Sequence, residues 1–356
     1  MSRVKNHLIK DYTYVCLNLY YFMYNEIPIY FLLTFFLLFV CAKIGYALNL
    51  VDLPNKRKIH LKPTAYTGGI AIIISLLFAL QAVDVFDKAL SLILSISFLI
   101  SLVGLIDDKF SLNTGGKLSL QIIPIFYLIV FENLTLNNIG AYNHFIVEMG
   151  SFKVPFTLLC VLFLTNAFNY FDGMDGTLSF TTITVLAILY FLVPDKNFQL
   201  FLIIILIPII IFLFFNFSFL GLPKLFLGNS GSLLLGFVIS FILIYLANQK
   251  FIHPVLLAWS IAIFVYEFLS INIIRLKNKQ NPFKAGTDHL HHRLFEESRS
   301  IFLTNFLITL FNIILFIIGY LSFLFINELV SLILFVIFFI IFLILRNNTF
   351  KKSMEI

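Results

Sequence analysis

The sequence predicts an all-α, polytopic membrane protein, and three observations carry that prediction. Apolar residues make up 60% of the 356 and charged residues 12%, against roughly 45–50% and 25% in an average soluble domain. The apolar material would supply on the order of ten membrane helices at about 20 residues each. It is gathered into eleven long runs, each bounded by proline, glycine or charge. The 24 basic and 18 acidic side chains are too few to coat a water-soluble surface, so their positions say more than the net charge of +6.

Each run follows from its boundaries. The first, 27–48, succeeds a tyrosine-rich arm (1–26); the second, 68–83, opens on Gly68-Gly69. The third, 89–106, ends at Asp107-Asp108, the fourth, 117–131, opens on Lys117, and the fifth, 154–166, ends at Asn166. The sixth (178–193) stops before Pro194, the seventh spans 198–215, and the eighth, 231–247, opens on Gly231-Ser232. The ninth starts at Pro254 and reaches 274, the tenth is 301–326, and the eleventh, 329–345, leads into a basic tail, 346–356. Several runs are shorter than a bilayer requires, so flanking residues complete them and the expected count is ten or eleven spans. Residues 27–345 form one multi-span domain. Cys16, Cys41 and Cys160 have no disulfide or metal spacing and are packing residues.

Eleven spans divide the loops into two sets. One set with the C-terminal tail holds sixteen of the basic residues, which places it in the cytoplasm. The opposite loops hold Lys88, Lys153, Lys196 and Lys250, joined by Arg3, Lys5 and Lys10 of the arm. Tyr12, Tyr14, Tyr20, Tyr21 and Tyr24 suit that arm to a membrane interface.

The unusual polar sequences all fall in the basic set of loops, at helix ends. A transporter would carry its polar groups near the bilayer midplane in broken helices, so a one-sided active site is expected instead. The first loop contains Lys56-Arg57-Lys58, His60 and Lys62, which suit lipid headgroups or substrate phosphates. Gly68-Gly69 after it offers either close helix packing or backbone donors for a phosphate. Asp107-Asp108 is costly to desolvate without a cation or water, and suits Mg²⁺ binding, proton removal or both. Asn166, Asn169, Asp172-Gly173 and Asp175-Gly176 supply oxygen ligands and backbone freedom for a hard cation and a nucleotide. Gly228-Asn229-Ser230-Gly231-Ser232 is either a helix cap or a turn facing a diphosphate. His289, His291, His292 and Arg293 lie among basic residues without cysteines, which favours a phosphate over a transition metal.

In this order, the five motifs resemble the polyprenyl-phosphate N-acetylhexosamine-1-phosphate transferase family (glycosyltransferase family 4) over about residues 45–300. The His-x-His-His loop is similar to its undecaprenyl-phosphate GlcNAc-1-phosphate transferase branch. The resemblance implies attack of undecaprenyl phosphate on the β-phosphorus of a UDP-N-acetylhexosamine, with Mg²⁺, or Mn²⁺ in its place, as cofactor. It implies a multi-pass enzyme of the bacterial inner membrane, facing the cytoplasm and in contact with membrane lipids, with no nucleic-acid partner and a homodimer left open. On the family pattern Asp107 and Asp108 act on the lipid phosphate, and Lys117 binds phosphate. Asn166, Asp172 and Asp175 match nucleotide-site positions, Asn169 and Asn229 metal-ligand positions, and His289, His291, His292 and Arg293 the sugar-nucleotide phosphate loop. Three departures stand out: Asn229 where the family has an aspartate, Glu267 where an aspartate is common, and Thr177 where a leucine follows the second Asp-Gly. The loss of an anionic ligand at Asn229 predicts weaker metal binding. It also keeps open a second reading, a catalytically impaired relative that still binds lipid phosphate or nucleotide.

Overall fold

The computed structural model describes residues 26–54, 62–82, 87–143, 145–281, 286 and 289–354, the side chains of 349–354 excepted. The N-terminal arm and the Lys56-Arg57-Lys58 cluster lie outside the described residues. The chain is an α-helical polytopic membrane protein in which helices follow the predicted runs to within a few residues. In order they are α1 Ile27–Ala47, α2 Gly68–Ala82, α3 Lys88–Phe110, α4 Thr114–Phe126, α5 Lys153–Phe171, α6 Thr177–Leu192, α7 Lys196–Asn216, α8 Gly228–Asn248, α9 Pro254–Ser260, α10 Ala262–Lys277, α11 Leu290–Ser298, α12 Ile301–Phe325 and α13 Glu328–Met354.

Among the described residues eight helices are long and apolar enough to cross a membrane, or nine if α9 and α10 count as one span. Two further apolar helices, α2 and α6, have 15 and 16 residues. The expected count of ten or eleven therefore meets eight or nine by length, because α2 and α6 fall short of a bilayer's thickness on their own. The fourth run is completed by a π-helical turn, Tyr127–Phe131, and the last helix continues beyond 345. Two small antiparallel sheets were not expected: β1 Val51–Asp52 with β2 Thr64–Ala65, and β3 Asn138–Tyr142 with β4 Phe145–Glu148.

Local chemistry fixes the helix ends. Asp87, Asn113 and Asp195 accept from the N–H three residues on, at 2.8, 2.7 and 2.7 Å, satisfying donors that a helix start leaves open. Ser111 ends α3 in the left-handed region at φ 49°.

Helix α8 is the axis of the bundle: 89% of its apolar stretch is buried, against 11% for the last helix, whose apolar side chains face outward. It packs against α3 and α5, where glycine allows close approach. A Cβ at Gly104 of α3 would overlap the carbonyl of Asn229. That contact brings the C-terminal end of α3 against the N-terminal end of α8. Gly68 and Gly69 donate their N–H groups to Phe226 O and Leu227 O, both at 3.0 Å. A Cβ on Gly69 would strike the backbone of Gly231. Packing thus accounts for the glycine pair, whose donors are spent on the segment that leads into α8.

Span nine bends by 72° at Ile261. Asn312 of α12 sits at the break, its Oδ1 accepting from Ile263 N (3.3 Å) and its Nδ2 donating to Ser260 O (3.1 Å). A break buried in lipid needs such a partner for the freed backbone groups.

Candidate active site

Five elements meet at one end of the bundle. The ends of α3 and α5 bring Asp107, Asp108, Asn166, Asn169 and Asp172; the starts of α4, α8 and α11 bring Lys117, Asn229 and the histidines. The structure thus brings together nearly all the side chains singled out in the sequence, although they come from motifs as much as 185 residues apart.

Asp107 is buried and held from three sides. Lys117 Nζ lies 2.8 Å from its Oδ2, Asn229 Nδ2 donates to the same oxygen at 2.8 Å, and Leu112 N donates to Oδ1 at 3.1 Å. Asp108 instead accepts from the backbone N–H of Asn229 at 2.8 Å, the favourable place for a carboxylate at the start of a helix. Lys117 Nζ donates on to Asn169 Oδ1 at 3.0 Å, and Asn169 Nδ2 donates to Asn229 Oδ1 at 2.6 Å and to Ser232 Oγ at 2.8 Å. Asp107, Lys117, Asn169 and Asn229 therefore form one closed polar ring.

Asp172 follows the end of α5, and burial together with the charges of Asp108 and Asp175 pushes its carboxyl up to about 8. Asp175 receives Lys224 Nζ at 2.6 Å and, more distantly, Asn216 Nδ2 at 3.5 Å. Its carbonyl accepts from Asn305 Nδ2 of α12 at 2.8 Å, and Asn305 Oδ1 accepts from Thr177 Oγ1 at 2.7 Å. The hydroxyl that departs from the family pattern thus has a buried partner. Asn166 lines the smaller cavity, its Nδ2 donating to Gln121 Oε1 at 2.9 Å and Leu162 O at 2.8 Å.

On α11, the rings of His289 and His291 lie parallel with centroids 5.6 Å apart, and His292 is 4.3 Å from His291. A Cβ on Gly173 would collide with the His291 ring, so only glycine lets this helix close on the first Asp-Gly. Burial first, then the neighbouring His292, His289 and Arg346, hold His291 well below the ordinary histidine value, so its ring is neutral. Arg293 follows on the same helix, half-buried and away from the cavity linings.

Two cavities open on these groups. The larger, about 1120 Å³, is lined by Asp108, Asp175, Lys224 and Lys62 together with apolar Phe212, Phe226 and Leu227. The smaller, about 410 Å³, is lined by Asp107, Lys117, Asn169 and His289. They share Asp172, Gly173, Asn229, Gly286 and His292, so Asp107 and Asp108 face different cavities across a common wall.

Among the described residues, no three His, Cys, Asp or Glu side chains gather as a metal site. The donors nonetheless fit a hard divalent cation that takes one or two carboxylates and completes its shell with substrate phosphate and water. Asp172 at the shared wall and Asp108 in the large cavity supply carboxyl oxygens that a cation would hold ionised, and the oxygens of Asn169 and Asn229 each accept one hydrogen bond and keep a lone pair.

Sequence reasoning did not single out Gln121, Asn305 or Arg346 as site-supporting residues, nor assign a role to Asn216, Lys224 or Ser232. Ser232 stood inside the Gly-Asn-Ser-Gly-Ser sequence, whereas Asn305 had no signal beyond being polar in an apolar run and Arg346 was read as part of the basic tail, although it lies in α13 and is buried.

The model of a family described as glycosyl transferase family 4 matches residues 90–247. The chain is 30% identical over 302 residues to the undecaprenyl-phosphate alpha-N-acetylglucosaminyl 1-phosphate transferase of Escherichia coli (strain K12), covering 82% of each. It is 30% identical over 322 residues to the protein of that name from Yersinia pestis, covering 87% of each. A probable undecaprenyl-phosphate N-acetylglucosaminyl 1-phosphate transferase of Bacillus subtilis (strain 168) is 27% identical over 262 residues, 72% of each. The chain belongs to glycosyl transferase family 4.

Proposed function

We propose that this protein transfers an N-acetylhexosamine 1-phosphate from a UDP-sugar to undecaprenyl phosphate, releasing UMP, as the first membrane step of a cell-surface polysaccharide. The observation that carries this is the convergence of Asp107, Asp108, Lys117, Asp172, Asn229 and His292 on two adjoining cavities that share one wall. A phosphoryl transfer between two anionic substrates needs positioning and charge neutralisation, and this wall offers cations, amides and carboxylates at short range.

An oxygen of the lipid phosphate attacks the β-phosphorus, the bond to the oxygen bridging the α- and β-phosphorus breaks, and the electron pair leaves on UMP. The new bond makes a lipid diphosphate-sugar. Asp107, already held by Lys117, Asn229 and Leu112, keeps the lysine aimed at the small cavity. Asp108 faces the large cavity with one oxygen on the Asn229 N–H, and suits proton acceptance from the lipid phosphate. Neutral His291 packs against Gly173 and supports His292, which lines both cavities. Asp108, Asp172, Asn169 and Asn229 are the residues that would hold Mg²⁺, or Mn²⁺ in its place, and the ion would supply charge neutralisation on the diphosphate. The excess of basic residues in these loops supports a site at the cytoplasmic face of the inner membrane.

The test offers purified protein undecaprenyl phosphate with several UDP-N-acetylhexosamines and identifies the lipid product by mass spectrometry. A lipid diphosphate-sugar with stoichiometric UMP is the expected result. Intact nucleotide sugars in every case would refute the proposal.

A further inference from the structure

Glu267 of α10 is 1% exposed, and two donors converge on its Oε1, Arg346 Nη2 at 2.8 Å and Leu290 N at 2.8 Å, with His289 Nδ1 farther off at 3.8 Å. Leu290 is the first residue of α11, so the carboxyl accepts from an otherwise open N–H in the helix that carries His291, His292 and Arg293. Arg346 comes from α13, 79 residues away, beyond residues 90–247 that match the family model. The second oxygen, Oε2, has no hydrogen-bond partner. A buried carboxylate so placed is costly to desolvate without the guanidinium beside it.

We propose that Arg346 is a positioning residue. By neutralising Glu267, it lets the carboxyl hold the N-terminus of α11 and so fixes His291 against Gly173 and His292 at the cavities. The functional side of this inference rests on the transferase reading, in which α11 serves the phosphates of the nucleotide sugar. An arginine that only filled space in the bundle would support every helix end alike, whereas this one is bonded to the carboxyl that accepts from the start of α11.

The full chain, purified in lipid nanodiscs, is compared as wild type, Arg346→Leu, Arg346→Lys and the double variant Glu267→Gln/Arg346→Leu. Amide hydrogen exchange over residues 290–298 is read first, then KM for UDP-GlcNAc and for undecaprenyl phosphate. In Arg346→Leu the 290–298 amides exchange at least about tenfold faster while residues 107–117 are unchanged. The KM for UDP-GlcNAc rises about tenfold, with that for the lipid within about twofold, the scale of a displaced binding group. Arg346→Lys recovers part of both effects. The double variant leaves no uncompensated buried charge and keeps an amide oxygen for Leu290 N, so it accumulates as wild type does and recovers the protection of 290–298 even where Arg346→Leu folds poorly; a loose 290–298 in it overturns the neutralising role. Unchanged exchange over 290–298 in Arg346→Leu, or equal loosening of all helix ends, overturns the proposal. Local loosening in a protein whose wild type releases no UMP supports the positioning role and sinks the transferase reading alone.

Discussion

Asn169 Nδ2 donates to Asn229 Oδ1 across 2.6 Å and joins the end of α5 to the start of α8 in the middle of the site. The same Asn229 donates its own Nδ2 to Asp107. An aspartate at this position could not donate, and would set two carboxylates against each other where the amide now makes a hydrogen bond. Asparagine therefore closes the ring without a cation, where the family pattern with aspartate calls for one.

Asn229→Asp should accordingly sharpen the dependence on a divalent cation. The Mg²⁺ concentration giving half-maximal turnover is expected to fall about tenfold, in line with the effect of ligand charge and its support. An unchanged or raised Mg²⁺ requirement would remove residue 229 from the cation site.

Asp108→Asn keeps the shape of the side chain and its hydrogen bond from Asn229 N, but removes the charge that faces the large cavity. Turnover should drop by about a hundredfold or more, the scale for a general base, with the melting temperature within about two degrees of wild type. Near-normal turnover would restrict Asp108 to stabilising the start of α8.

Thr177→Val removes the hydroxyl that donates to Asn305 at 2.7 Å and leaves a buried amide oxygen unpaired. The expected loss is about 1–3 kcal/mol in unfolding free energy. Thr177→Ser, which keeps the hydroxyl, should lose much less. Equal losses in the two variants would mean that packing at residue 177, not the bond to Asn305, is what matters.

His291 gives stability a defined pH dependence. Its folded value lies well below 6.5, so the neutral ring is favoured by folding. That contribution is complete above 6.5 and is lost as the pH falls below it, at up to about 1.4 kcal/mol per pH unit. The stability of wild type relative to His291→Gln, measured from pH 7.5 to 5, should fall below 6.5, a difference from which the opposite slope of Asp172 cancels. The same slope in both would place the acid-sensitive group elsewhere.

The helical runs were legible because apolar residues between polar boundaries can only be helical in lipid: the run 27–48 is Ile27–Ala47, and 198–215 is Lys196–Asn216. The break at Ile261 was not, since Trp259, Ile261 and Ala262 read as continuous apolar helix and the group that tolerates it, Asn312, lies in another span. Helix α11 was missed as a helix because it is short and polar, although its histidines were singled out. In the site, each motif was visible locally, but not its partners. Asp107 finds Lys117 ten residues on, whereas Asp175 pairs with Lys224, Glu267 with Arg346 and Thr177 with Asn305 at separations of 49, 79 and 128 residues. Such pairings are set by packing of whole helices, which no local pattern encodes.

Transfer of sugar and phosphate together is the central claim, and following the β-phosphate tests it most directly. With UDP-GlcNAc carrying ³²P at the β-phosphorus and undecaprenyl phosphate as acceptor, the label should move into the lipid phase in step with unlabelled UMP release, and Asp108→Asn should slow both by about a hundredfold or more. Label that remains with the nucleotide, as UDP or as unreacted UDP-GlcNAc, would contradict it.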